Sequence, residues 1–542
     1  MSGLRVTELL VLGCTLVVVA VVGLLAWRWR RPSTPSRLDD WSLGTRQFGS
    51  WVAWFFVGSV LFTGYAFVAG PAMAFAEGAS AFWVLPYLII AFPLMLAPMA
   101  RLWSVSRARG YLTTADFVRG RYGSGVLALL VAISGIVAAV PLLALQFVAI
   151  EAVTRVAGLN QSGVVGHLPL LLPLVVLAAV LNRSGLRAAA LVSFVKVILI
   201  FLVVFVAILY LPIKLEGWTE IFGRVAARFD SSPSATDGLL LAPREQLHYA
   251  SLALGSALAL FLYPHAVTGV LACRNRDVVR RNMAALPVFT LLLGVLMLLG
   301  FVAIAADVVP LTSGATGEPD RNTPVALLLR DQSPPWFAGL AFAAIAVSAL
   351  VPAAVLAIGA ANLWARSIYR NYLRRGAPPE QEARQARIAM VVVLVAALVI
   401  AVDARLAVEL QLVGAVIILQ TLPAVLVPLY SRWLHVSGLI VGWFAGVGYA
   451  LLLMHDIVDP QTGRRFAGTG YPVGELQVLG SRPFDGGATV YVGLLALLFN
   501  LAIVLIITVA MRLTGAHNGR DETRPPDYSA DAYDPAMQPV GA

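Results

Sequence analysis

Residues 50–76 read SWVAWFFVGSVLFTGYAFVAGPAMAFA. The stretch is apolar throughout and long enough to cross a bilayer core of about 30 Å. It also carries Gly58, Gly64, Gly70 and Pro71, residues that weaken or interrupt a helix. Hydrocarbon cannot satisfy freed backbone groups, so a break is tolerated only where it is packed in protein or lines a polar cavity. The stretch therefore reads as a broken membrane helix. A second break is written in Phe261-Leu262-Tyr263-Pro264-His265-Ala266, where proline stands in the middle of another span.

The surroundings fit a membrane setting. Of the 542 residues, 59% are hydrophobic and 13% charged, about half the charge of a soluble domain. That excludes a soluble enzyme, a nucleic-acid module and a disordered chain. Thirteen apolar spans can be counted, so the fold class is all-α and polytopic. The first, near residues 8–27, ends in Trp27-Arg28-Trp29-Arg30-Arg31 rather than a small-residue cleavage site, and reads as an uncleaved helix. The net charge of +10 marks loops, not a nucleic-acid partner. Arg101, Arg107, Arg109, Arg119 and Arg121 crowd one loop, and Arg366, Arg370, Arg374, Arg375, Arg384 and Arg387 another. By the positive-inside rule both are cytoplasmic, which places the N-terminus outside and the C-terminus inside. Cys14 and Cys273 show no disulfide or metal pattern.

The two broken spans lie five spans apart. Two five-helix units, each opening with a broken helix, are then inverted relative to one another, because five is odd. That is the layout of secondary transporters with a site near the midplane. The expected organisation is a first helix and inner loop (1–49), a first repeat (50–212), an outer loop (213–246), a second repeat (247–430), two further helices (431–512) and a disordered cytoplasmic tail (513–542). Within the outer loop, the stretch from Gly217 to Phe222 reads as an interfacial helix.

Several motifs carry a resemblance. Leu38-Asp39-Asp40-Trp41-Ser42-Leu43-Gly44 before the first broken helix, Leu112-Thr113-Thr114-Ala115-Asp116-Phe117, the pair Pro264-His265 and Ser367-Ile368-Tyr369-Arg370 resemble the sodium/solute symporter family over about residues 38–455. Pro141 to Gln146, Pro264 to Asn282, Ala349-Leu350-Val351-Pro352, and Gln420 before Pro423 are most similar to its bacterial monocarboxylate permeases. The resemblance implies a LeuT-like, five-plus-five inverted-repeat core with two broken helices. It also implies symport of short carboxylates such as pyruvate, lactate, acetate or propionate across the bacterial inner membrane. It implies no cofactor beyond a coupling ion, H⁺ or Na⁺, and a monomer as the functional unit, with the lipid bilayer and a small carboxylate as partners.

Family members that use sodium bind it between the first and eighth core helices. The equivalent oxygens here are backbone groups near Ser59 and Phe62, together with Ser348. The adjacent hydroxyl positions read Val351 and Pro352, and a family carboxylate on the fifth core helix reads Val197. The sodium site is therefore degenerate, and no metal site is assigned. Lys196 stands beside the missing carboxylate. The only other lysine is Lys214. An intramembrane lysine is a functional candidate, here an ammonium in the vacated ion position that gains and loses the coupling proton. The alternative is snorkelling to the membrane surface.

A monocarboxylate needs an anion site. Freed N–H groups at a half-helix N-terminus supply one, and Thr63, Gly64 and Tyr65 are the candidates. Gln146, Tyr263 and Gln420 are further candidate contacts, with interhelical hydrogen bonding as the alternative for each glutamine. His265 reads as a proton carrier or as a partner for freed backbone groups. Phe82 and Trp83 are candidate walls. Carriers of other solutes (proline, pantothenate, urea) and a transport-dead sensor are the competing functions. A membrane enzyme is disfavoured by the absence of clustered His spacing such as HExxH.

Overall fold

The computed structural model of the chain describes residues 6–29, 38–159, 168–231, 238–312, 319–458, 465–466, 468–472 and 488–531. Nearly all of it is helical. The first apolar helix is α1 (Val6–Leu25), followed by α2 (Ser50–Leu61), α3 (Gly64–Glu77) and α4 (Val84–Arg109). A short helix α5 (Thr114–Tyr122) leads to α6 (Gly125–Val156), α7 (Leu168–Ser184), α8 (Leu186–Lys214) and a peripheral α9 (Trp218–Asp230). Then come α10 (Gln246–Leu260), α11 (Pro264–Leu271), α12 (Arg276–Ala285), α13 (Val288–Ala305), α14 (Pro324–Gln332) and α15 (Pro335–Asn362). The last are α16 (Pro379–Ala401), α17 (Ala404–Leu419), α18 (Leu422–Val425), α19 (Val436–Asp456) and α20 (Val492–Leu513).

Among the described residues nine helices are long and apolar enough to span a bilayer, and two bent pairs, α10–α11 and α17–α18, bring the number to eleven. The halves α2 and α3 are each too short alone, as is α7, although all are apolar. Taken as one broken span and one short span, they account for the thirteen counted in the sequence. The architecture is a five-plus-five inverted-repeat core. The broken helix α2/α3 is followed by α4, α6, α7 and α8; the broken helix α10/α11 is followed by α12–α13, α15, α16 and the bent α17/α18. The third bend, 41° at Gln420-Thr421, is not among the sequence expectations. Pro423, at the start of α18, is its local signal.

The core is centred on α15, whose most apolar window is 94% buried and which packs on α1, α3, α6 and α8. Small residues make this possible, since membrane helices associate through close van der Waals contact. A Cβ on Gly359 would stand 3.0 Å from the Pro264 carbonyl carbon, and one on Gly64 would stand 2.6 Å from the Ala349 Cβ and 2.7 Å from its backbone nitrogen. Helix α9 lays Ile221, Val225 and Phe229 against the protein, chiefly on α13, so the expected interfacial helix is packed on protein along one face.

One expectation is overturned. Residues 513–531 do not form a free tail. Tyr528 is buried against Phe117 and under Arg101, and this burial pushes its phenol pKa up. Asp527 pairs with Arg109 at 2.7 Å, Asp521 pairs with Arg121, and Arg276 donates to the Ser529 carbonyl. The Glu522 N–H donates to the Gly120 carbonyl. Polar composition suggested a solvated segment. The arginines of α4 and α5 instead provide it with a complementary surface, which composition alone does not reveal. Residues 532–542 of the expected tail lie outside the described residues.

Candidate transport site

The first break falls at Phe62 and Thr63. Helix α2 closes with the Phe62 N–H donating to the Gly58 carbonyl, and Phe62 and Thr63 leave helical geometry at ψ 87° and 159°. Helix α3 then starts with Thr63 as its cap, the hydroxyl accepting from the Ala66 N–H at 3.0 Å. Pro71 lies inside α3, which continues through it. The break therefore leaves two kinds of orphan group: carbonyls at the end of α2 and N–H donors at the start of α3.

The carbonyls are taken by a cation. Lys196 on α8 is fully buried, and its Nζ donates to the Ser59 carbonyl at 2.6 Å, the Phe62 carbonyl at 2.5 Å and the Ser348 carbonyl at 3.0 Å. Each acceptor has a local reason to be free. Ser59 and Phe62 sit where α2 stops. Ser348 lies four residues before Pro352, which has no N–H to return to it. An ammonium has three donors and no acceptor, and here it meets three carbonyls. That complementarity is met by the charged form, because a neutral amine would turn its lone pair toward a carbonyl. Ser348 takes part through its backbone carbonyl rather than its hydroxyl, which donates to the Ala344 carbonyl on its own helix. Val351 and Val197 are buried and apolar.

The N–H side of the break is met by Gln146 on α6, also fully buried. Its Oε1 accepts from the Gly64 N–H at 3.2 Å, and its Nε2 donates to the Leu142 carbonyl at 3.0 Å. Thr63, Gly64, Gln146, Ser59, Phe62, Ser348 and Lys196 thus form one continuous cluster around the break. The Tyr65 side chain lies outside the described residues.

The remaining candidates sit elsewhere. Tyr263 and His265 flank the second break, with their rings 5.5 Å apart. His265 is buried and its Nδ1 has no hydrogen-bond partner among the described residues. Gln411 on α17, a polar residue that composition and motifs do not single out, stands close to the Tyr263 hydroxyl. A lone Gln in an apolar run was its available signal. Gln420 is held by α20: its Nε2 donates to the Val416 and Gly493 carbonyls, and Asn500 donates to its Oε1. The structure does not bring it to the first break, because the bend after α17 turns it toward the last helix. Phe82 lines an apolar cavity of about 550 Å³ with Phe222, Tyr249 and Phe301, and the Trp83 ring lies tilted against Tyr87, 5.7 Å between centroids.

Residues 41–446 match the sodium:solute symporter family. The chain belongs to this family. A "Monocarboxylate transport permease protein" of Rhizobium johnstonii is 41% identical over 497 residues, covering 91% of this chain and 95% of that protein. An "Uncharacterized symporter YodF" of Bacillus subtilis is 30% identical over 456 residues, covering 83% and 88%. Among solved structures, the substrate-bound, outward-open state of a Na⁺-coupled sialic acid symporter superposes with a TM-score of 0.69 at 15% identity, covering 93% of this chain and 98% of that one. That likeness gives the fold of a symporter. In this member of the sodium:solute symporter family, a lysine side chain sits on the carbonyls of the first broken helix.

Proposed function

We propose that this symporter imports short monocarboxylates, such as pyruvate, lactate, acetate or propionate, together with a proton, by alternating access across the bacterial inner membrane. The observation that carries the reading is the seat of Lys196 Nζ on the Ser59, Phe62 and Ser348 carbonyls. The named activity of the Rhizobium relative supports the substrate class.

In this reading the proton on Lys196 does the work of a coupling ion. The ammonium ties the end of α2 to α15 through three charge-assisted hydrogen bonds, each roughly twice as strong as a neutral one. With the carboxylate seated beside it the protonated carrier turns as one unit, and loss of the proton and substrate on the inner side removes one donor and the charge and lets the empty carrier return. The substrate carboxylate binds at the start of α3, beside Thr63 and Gly64, where N–H donors and the helix dipole favour an anion. Its charge offsets that of the ammonium, so proton and carboxylate travel as a neutral pair. The N-terminus outside and the Arg101–Arg121 loop in the cytoplasm complete the orientation.

Uptake of radiolabelled propionate into proteoliposomes tests this. An inward H⁺ gradient is expected to drive accumulation without Na⁺, and a membrane potential at equal pH is expected to drive none. Accumulation driven by Na⁺ alone rejects the Lys196 reading. Failure of any short monocarboxylate to be taken up or to compete rejects the substrate class.

A further inference from the structure

The Gly64 N–H is the donor that a carboxylate at the first break would use, and the Gln146 carbonyl already holds it at 3.2 Å. Approach from the other side is closed. A methyl group on Gly64 would collide with the backbone of Ala349, so α15 walls the start of α3 there, while Gln146 stands on the N–H from the α6 side. Two independent features at the same break call for an anion. Among the described residues the buried Lys196 ammonium has only neutral carbonyls as hydrogen-bond acceptors, and a buried cation without a counter-charge is costly. The Ser59 hydroxyl, fully buried one turn before the break, has no hydrogen-bond partner among the described residues.

We infer that Gln146 is a built-in stand-in for the substrate carboxylate. Its amide oxygen occupies the carboxylate's place on the Gly64 N–H while the carrier is empty, and substrate loads by displacing it. The inference rests on the carboxylate reading above and goes beyond it, because it makes Gln146 a competitor of the substrate rather than a contact. The exchange is favourable in the right direction. An amide carbonyl is a neutral acceptor, and a carboxylate on the same N–H makes the stronger, charge-assisted bond. The departing amide is lightly anchored, its Nε2 bonded to the Leu142 carbonyl of its own helix. Gln146 is thus a positioning residue that keeps the empty break closed and sets the affinity for carboxylate.

Gln146→Leu separates the possibilities by the sign of its effect on KM. With the competitor removed, KM for propionate is expected to fall about fivefold, the equivalent of one ordinary hydrogen bond. Maximal uptake is expected to fall as well, because the empty break no longer closes. A raised KM, the mark of a lost substrate contact, or an unchanged KM with only a lower melting temperature overturns the inference. Gln146→Glu gives a second reading that does not depend on folding of the leucine variant. Its carboxylate holds the Gly64 N–H permanently, and KM is expected to rise at least tenfold; an unchanged KM overturns the inference. Propionate binding by the unaltered protein is measured first. Its absence removes the carboxylate reading, whereas its presence with either contrary result removes only the role of Gln146.

Discussion

Lys196 shows how one side chain can bind together the loose ends of a broken helix. The sequence already drew attention to it, because it is one of two lysines and sits in the middle of an apolar helix. Val351, Pro352 and Val197 were legible as losses. What the sequence did not reveal is that Pro352 also supplies something: by having no N–H it releases the Ser348 carbonyl that completes the ammonium's coordination. Two outcomes follow at this scale. Lys196→Met is expected to abolish H⁺-driven uptake and to lower the melting temperature, since it leaves three buried carbonyls unpaired at about 1–3 kcal/mol each; uptake and thermal melts of the purified variant check both. Pro352→Ala is expected to return an N–H to Ser348, draw its carbonyl back into the helix and slow H⁺-driven uptake severalfold while the protein remains folded. Wild-type rates in Pro352→Ala would show that the third carbonyl is dispensable.

Breaks in helices follow the same logic one level up. Gly64 and Pro264 were readable from composition, because glycine and proline inside a 20-residue apolar run leave few other interpretations. The bend at Gln420-Thr421 was not, since Pro423 lies at the start of a helix, where proline is ordinary. That unseen bend is why Gln420 faces Asn500 on α20 instead of the first break. A residue's place along a helix is legible; which neighbour it faces after a bend is not. The start of α3 is a tight junction between the two repeats, with Gly64 packed against Ala349. Gly64→Ala is expected to eliminate transport, with overpacking of about 1–3 kcal/mol. Ala349→Gly is not expected to rescue it, because the Ala349 backbone nitrogen itself lies 2.7 Å from the new methyl position. Uptake by the single and double variants decides; full rescue would mean that the Ala349 methyl is the whole obstacle.

Across the whole molecule, the arginine-rich face is held together by long-range charge. Asp116 accepts from the Leu112 N–H and lies 3.5 Å from Arg366, and Arg366 and Arg370 both reach Glu382. The segment carrying Asp521, Asp527 and Tyr528 lies across α4, α5 and the start of α12. Arg121 is 4% exposed at its side chain, so removing its partner leaves a nearly buried charge, a loss of about 3–5 kcal/mol. Ending the chain after residue 519 is expected to lower the melting temperature by several degrees, and Asp521→Asn to reproduce most of that loss. An unchanged melt in both would make the segment an ornament of the surface.

The distance along the chain between those partners also imposes a schedule on biogenesis. Arg121 and Asp521 are 400 residues apart, and Arg109 and Asp527 are 418 apart. At about 5–20 residues per second, a ribosome needs on the order of 20–80 s after making Arg121 to deliver its carboxylate. For that interval the nascent face carries uncapped guanidinium groups that anionic lipid headgroups or a chaperone can hold. A prematurely terminated chain would keep those groups exposed, a signature by which quality control can tell it from the finished carrier.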